Sequence, residues 1–392
     1  QPNEKVQAGA ERMVRRRLPK VLILSFETLN DSHGTGVLLK RYFGDFPPSH
    51  LFSLHHKDCG PAWLEQSAQI EATGVRAVRA VAVALGRARF VPDVIYATAL
   101  HEADLELLRA VLAAVGSGTP VVQHFMDFIP NSEEAFAAKF RRLSPSITEI
   151  WALTEPLQRM LAGKFGRPVE LVTGLLQRLT PYYREEHRGF DRSFRTILVG
   201  NFYNPEVVPV VRALWVRCRE RLPGLGPIEW YVAPKRLQDL LDGGTDPGLD
   251  LVWRGFFTGA RLAKILREAD LGLLPFNHGS AATSNYQRYS LPSRLAEFAS
   301  AGVPVFALAT SDTPLAVFMR TYGLGQVADA SDVDAVAEQL TRFITDREAR
   351  AAGGAAGRRL AETQFEIGRF RTWINGRMVA LVRASKEAKA RS

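Results

Sequence analysis

The sequence predicts an α/β protein of two successive Rossmann-like domains facing a central cleft. Short β-rich apolar runs alternate with amphipathic helical stretches along most of the chain. The alternation breaks at an aperiodic polar stretch, PYYREEHRGFDRSF (181–194), and restarts at TILVG (196–200). The length of 392 residues exceeds one ordinary core, and 46% hydrophobic with 23% charged residues is a globular composition.

The first strand is KVLILSF (20–26), followed by turn and cap residues Asn30, Asp31 and Ser32. HGTG (33–36) then opens the helical VLLKRYF, so a buried parallel strand, a glycine turn and a helix begin the first layer. ATGVRAVRAVAVALGRARF reads as a helix, PDVIYATA (92–99) as a strand, HEADLELLRAVLAAVG as a helix and TPVVQHF (119–125) as a strand. SEEAFAAKFRRL, EIWALT (149–154), PLQRMLAGKFG and PVELVTG complete the N-terminal domain, 1–180. After the interdomain linker, 181–195, the C-terminal domain over 196–368 alternates again. TILVG, IEWYVA, LDLVWRGFF, DLGLLPF and VPVFALA are its strands, and the remainder is largely helical. The final helix is FRTWINGRMVALVRASK (370–386), within a basic segment 369–392 expected to cross back to the N-terminal domain.

The net charge of +9 sits at the ends. Residues 1–20 carry six Lys/Arg against two Glu, and 369–392 seven against one, which leaves 21–368 at −1. A neutral body argues against nucleic acid, which calls for a basic folded face. Basic ends suit an anionic surface such as the cytoplasmic leaflet, or serve as solubilising tails. No apolar run is long enough to span a bilayer, and no apolar segment follows the N-terminal charges as in an export signal. Two cysteines, Cys59 and Cys218, exclude a disulfide framework. His55 and His56 are adjacent, so they do not share a helix face, and no carboxylate follows at ligand spacing; no metal is expected. The expectation is a cytoplasmic protein, at most touching the inner face of the membrane.

The most specific stretch is DLGLLPF (270–276), a polar loop, then SLPSRLAEFASAGVPVFAL (290–308). A buried strand ends at Pro275, and Ser293 and Arg294 stand at a helix start. Backbone N–H groups, the positive dipole end and a guanidinium there make an anion site. Glu297, three residues after Arg294, can face vicinal hydroxyls. The same spacing also suits an ordinary crossover helix with an Arg–Glu pair.

These residues resemble the donor-nucleotide region of GT-B glycosyltransferases, especially the large retaining family four, whose members often read "PSKlxEylAaGxPVva". ILVG (197–200), VWRGFFTGARLAKILREAD (252–270) and IWALTEPLQRMLAGKFGRPVELVTG (150–174) are similar to further segments of that family, so the likeness covers most of 149–308. The resemblance implies that Glu297 holds the nucleotide ribose and Ser293 with Arg294 the diphosphate. Arg254, Gly255 and Phe256 would hold the base. Gly200 and Asn201, after the first strand of the second domain, and Gly34, Thr35 and Gly36, after the first strand of the chain, would line the donor. Two positions depart from the family's pattern. Tyr289 stands where a second glutamate is frequent, and Asn201 follows Gly200 where a cation is frequent. Phosphate charge then falls to Arg294, with Arg288 and helix dipoles, and the stereochemistry stays open.

In the N-terminal domain, VVQHFMDFIP (121–130) puts His124 and Asp127 just past a strand end. Asp127 can act as general base toward an acceptor hydroxyl, and His124 can do the same or bond a sugar hydroxyl. A backbone-bonded loop histidine, and a helix cap for Asp127, are the bland alternatives, although Asn131 and Ser132 are better placed to cap. The function expected is metal-independent transfer of a sugar, with no cofactor, from a UDP- or GDP-linked donor to a saccharide, lipid-linked or small-molecule acceptor. A nucleotide-sugar epimerase of the same fold and a non-catalytic sugar-nucleotide-binding protein are the alternatives. A dinucleotide oxidoreductase is discounted because Leu39 occupies the third position of Gly-x-Gly-x-x-Gly.

Overall fold

The structure, a computed structural model, describes residues 18–391 apart from 32–33, 72, 99–100, 117, 129, 174–179, 181, 185, 203–204, 277–285 and 330. His33 and most of the basic N-terminal segment lie outside the described residues. The chain divides into two units, Gln1–Gly174 with Ile367–Ser392, and Leu175–Glu366.

In chain order the first unit runs β1 (Val21–Glu27), α1 (Gly34–Tyr42), β2 (Leu51–Lys57), β3 (Ser67–Gln69), α2 (Gly74–Arg87), β4 (Val94–Thr98), α3 (Glu102–Val115), β5 (Val121–Phe125), α4 (Glu133–Leu143), β6 (Glu149–Ala152), α5 (Glu155–Phe165) and β7 (Glu170–Leu171). The second runs β8 (Thr196–Val199), α6 (Val207–Arg221), β9 (Ile228–Tyr231), α7 (Pro234–Asp242), β10 (Leu251–Gly255), α8 (Gly259–Arg267), β11 (Leu271–Pro275), α9 (Arg294–Ser300), β12 (Val305–Leu308), α10 (Pro314–Tyr322), β13 (Gly325–Ala328), α11 (Val333–Thr345) and α12 (Arg347–Thr363). The last helix, α13 (Ile367–Arg391), returns to the first unit.

The first unit's sheet is ordered β3-β2-β1-β4-β5-β6-β7 and the second's β10-β9-β8-β11-β12-β13, with every neighbouring pair parallel. Parallel strands covered on both faces read as continuous apolar runs, and VLIL in β1 and LGLLP in β11 are buried throughout. Alternate residues feed opposite faces: Ile197 and Val199 join one core of the second unit, and Leu198 joins the other with Trp230, Leu271 and Leu273. β2, β3 and β13 escaped the sequence reading. Paired histidines end the apolar run of β2, β3 has three residues, and Gly325 opens β13.

Helix α13 packs on the first unit through Ile374, Met378 and Leu381, each worth ~1.5–3 kcal/mol when fully buried. Arg371 donates to Arg41 O at 2.6 Å and to Asp45 at 3.2 Å, and Arg377 pairs with Glu149 at 2.6 Å.

The described residues of 181–195, expected as a linker, are packed into the second unit. Asp270, fully buried ahead of β11, pairs with Arg184 at 2.8 Å and Arg188 at 2.7 Å and accepts the Arg195 N–H at 2.8 Å. Arg358 donates to Thr180 O and Ser300 O at 3.0 and 2.7 Å. Aperiodicity marked the absence of regular structure in this stretch; its arginines hold it to the domain.

Candidate functional site

In the second sheet the strand order reverses between β8 and β11, which are neighbours in the centre. Ligands of open parallel sheets bind beyond the carboxyl ends of strands at such a switch point. The two segments that the sequence singles out leave the sheet here.

After β8 the chain turns at Gly200 with φ of +87°, a conformation natural to glycine. Its N–H donates to Tyr231 O and its carbonyl accepts from Trp230 Nε1, both at 2.8 Å, so β9 fixes the turn from both sides. The Arg294 guanidinium lies on the open face of that glycine: a Cβ at Gly200 would come within 2.7 Å of its central carbon. Arg294 Nη1 donates to Asn201 O at 3.0 Å. Residues 93 positions apart thus bring a cation to the turn where the sequence lacks one. Asn201, Ser293, Arg294 and Glu297 are half-buried.

Helix α9 explains the placement. Leu295, Ala296, Phe298 and Ala299 are buried, which leaves Ser293, Arg294 and Glu297 on the less covered side. Ser293 is the N-cap but its side chain makes no capping bond. Tyr289 is half-buried in the short helical turn before α9. Arg254, Gly255 and Phe256 stand apart from this group, at the end of the edge strand β10, two strands from β8. Gly255 has φ of +104°, and Phe256 is 40% exposed. Arg254 is exposed and helps to hold the Glu229 carboxyl below its usual range, although burial pulls that group upward and Arg195 does most to lower it.

In the first unit, Gly34, Thr35 and Gly36 form the first turn of α1 rather than a loop, and are exposed, half-buried and buried in that order. His124 departs from expectation. It lies within β5, in register with Thr98 and Trp151, because the strand continues through Phe125. It is fully buried, with Nδ1 at 2.5 Å from the Tyr96 hydroxyl and its ring near Tyr42 and Trp151. Nε2 faces the Val172 backbone without a hydrogen bond of standard geometry. Burial pushes its pKa down to about 3, against a smaller upward pull from that backbone. The expected place of His124 just past the strand end is corrected to one inside the strand, where full burial gives it no exposed face for a substrate. Asp127 is half-buried two residues beyond β5, and Ser132 caps α4 by accepting from Ala135 N at 3.2 Å.

The sequence reading missed Trp230 and Tyr231, which hold the Gly200 turn; the aromatic pair ending IEWYVA was the available signal. Among the described residues no helix is long and apolar enough to cross a membrane.

No family model and no curated sequence matches the chain. Solved structures do resemble it. HepE from Anabaena, in complex with UDP and glucose, aligns with a TM-score of 0.64 at 14% identity, over 92% of this chain and 100% of that one. Sucrose-phosphate synthase from Thermosynechococcus elongatus aligns at 0.67 and 12%, over 93% and 99%. Trehalose-6-phosphate synthase from E. coli, bound with UDP-2-fluoro glucose, aligns at 0.60 and 10%, over 92% and 98%. These are GT-B glycosyltransferases, and the chain has their fold.

Proposed function

We propose that the protein is a glycosyltransferase that moves a sugar from a nucleoside-diphosphate sugar to an acceptor hydroxyl without a metal or bound cofactor. The observation that carries this is the Arg294 guanidinium seated on Gly200 and bonded to Asn201 O at the switch point, with Glu297 one turn further along α9. UDP with glucose in HepE, on the same fold, supports a uridine or related donor.

In this reading Glu297 accepts hydrogen bonds from the ribose hydroxyls and Arg294 faces the diphosphate. The Arg254–Phe256 strand end serves the base. As the bond between the anomeric carbon and the β-phosphate oxygen breaks, negative charge grows on the leaving diphosphate, and a guanidinium already in place stabilises it. The acceptor oxygen bonds to the anomeric carbon and gives up its proton. Asp127 is the carboxylate put forward to take it, as in inversion.

A thermal-shift panel of UDP, GDP and their sugars tests the reading. A ligand at 100 times its dissociation constant adds ~2.7 kcal/mol of stability. A shift with one nucleobase and transfer of its sugar to an added acceptor is the expected result. No shift with any nucleotide contradicts the proposal, and epimerised donor without transfer favours the epimerase instead.

A further inference from the structure

Helix α2 and its exit carry an unusual outer surface. Ala77, Val81 and Leu85 are buried, and the helix packs against α3. The outward face shows Arg76, Arg79 and Arg87 among valines, with Val75 85% and Val83 44% exposed; Val91 just beyond is 75% exposed. From Thr73 to Pro92 there are four arginines and no acidic residue, a charge of +4 within a body that sums to −1. No side chain of Arg76, Arg79, Arg87 or Arg89 makes an ion pair or hydrogen bond among the described residues. A surface helix that needs only solubility mixes both signs. This one combines unpaired cations with bare aliphatic side chains.

A second observation points the same way. Arg89 has φ of +49°, the one non-glycine residue with positive φ among the described residues. It follows the C-cap Ala88, a position where glycine or asparagine is usual. An arginine there strains the backbone and keeps a fourth cation beside the others, and such strain is commonly retained for function.

We infer that this face docks on an anionic lipid bilayer, the arginines meeting headgroup phosphates and Val75, Val83 and Val91 entering the headgroup–acyl boundary. The charge would also suit a nucleic acid. However, the exposed valines have no use on a phosphate backbone, and the face has no aromatic side chain to stack a base. The inference is independent of the nucleotide reading, and its test uses no nucleotide.

The test is co-flotation of the full chain with phosphatidylcholine vesicles, with and without about one third phosphatidylglycerol. Wild type should bind the anionic vesicles at low salt and release them as salt approaches ~1 M. Each cation near such a surface contributes ~1 kcal/mol, or roughly fivefold. Arg76→Gln with Arg79→Gln should therefore bind about thirtyfold more weakly with an unchanged melting temperature. Val75→Ser with Val91→Ser should weaken binding while leaving its salt dependence in place. Arg89→Gly should melt higher, its backbone strain relieved, yet bind about fivefold more weakly. Vesicle binding that is absent in wild type, equal in wild type and the double arginine variant, or outcompeted by duplex DNA at matched phosphate overturns the inference.

Discussion

In the proposed reading Arg294 compensates for an absence. The turn after β8 has Asn201 where a cation would serve a diphosphate, and the guanidinium arrives from α9, bonded to Asn201 O. Removing it should reduce turnover by more than donor affinity, because its interaction strengthens as the leaving group gains charge; steady-state kinetics of Arg294→Ala beside donor binding would show the split. Gly200→Ala should damage the same function differently. Its methyl would displace the guanidinium, and φ of +87° costs a non-glycine residue ~1–2 kcal/mol. Both melting temperature and donor affinity should fall. Asp127→Asn should lower turnover by ~10²–10⁴ with donor affinity preserved, if the residue takes the acceptor proton. The helix that carries Arg294 and Glu297 was legible because PSRLAEFASAG combines a helix start, a cation, an acid and a glycine stop at fixed offsets. The strand read as 119–125 already contained His124, and β5 does end at Phe125; what sequence did not show is that this side chain packs inward against Tyr42, Tyr96 and Trp151.

At the level of elements, the stretch 180–195 and helix α12 depend on buried charge. Asp270 is fully buried between Arg184 and Arg188, and the buried Arg350 donates to Arg188 O at 2.8 Å and stacks over Phe194. Asp270→Asn leaves these cations uncompensated and should cost ~3–5 kcal/mol, measured by denaturant unfolding. Close packing adds to the constraint: a Cβ on Gly354 of α12 would lie 2.7 Å from His187 Nε2. His187 is itself buried, and its pKa is pushed down from 6.5 to about 4, first by burial and then by Arg184, Arg350 and Arg347, with Asp270 opposing. The unfolded chain therefore takes up a proton below pH 6.5 that the folded chain refuses until about pH 4. Stability should fall as pH drops through that window, by up to ~3 kcal/mol from this group, and melting scans of His187→Gln should show a flatter pH dependence. None of this was legible in sequence. A string of arginines between domains looks like a solvated linker until a buried carboxylate, 75 or more residues later, is seen to collect them.

For the whole molecule, the alternation of apolar runs and amphipathic helices was enough to read two parallel α/β units, because strands covered on both faces must be apolar throughout. Pairing order was not legible from that alternation, since each strand has similar apolar chemistry; the reversal between β8 and β11 emerges only in the sheet. The basic C-terminal helix packs on the first unit through Ile374, Met378 and Leu381, so Met378→Ala should destabilise that unit by ~2–5 kcal/mol, seen as faster hydrogen exchange in β5 and β6.

Binding of a nucleoside diphosphate by the second unit at the β8–β11 switch point is tested by calorimetric titration of UDP and GDP into wild type and Glu297→Gln. Wild type should bind one of the two, and the variant should bind it roughly ten- to a hundredfold more weakly, the value of ~1.5–3 kcal/mol for a hydrogen bond to a charged group, with its melting temperature unchanged. Wild-type affinity in Glu297→Gln, or no binding of either nucleotide to the wild-type protein, would contradict it.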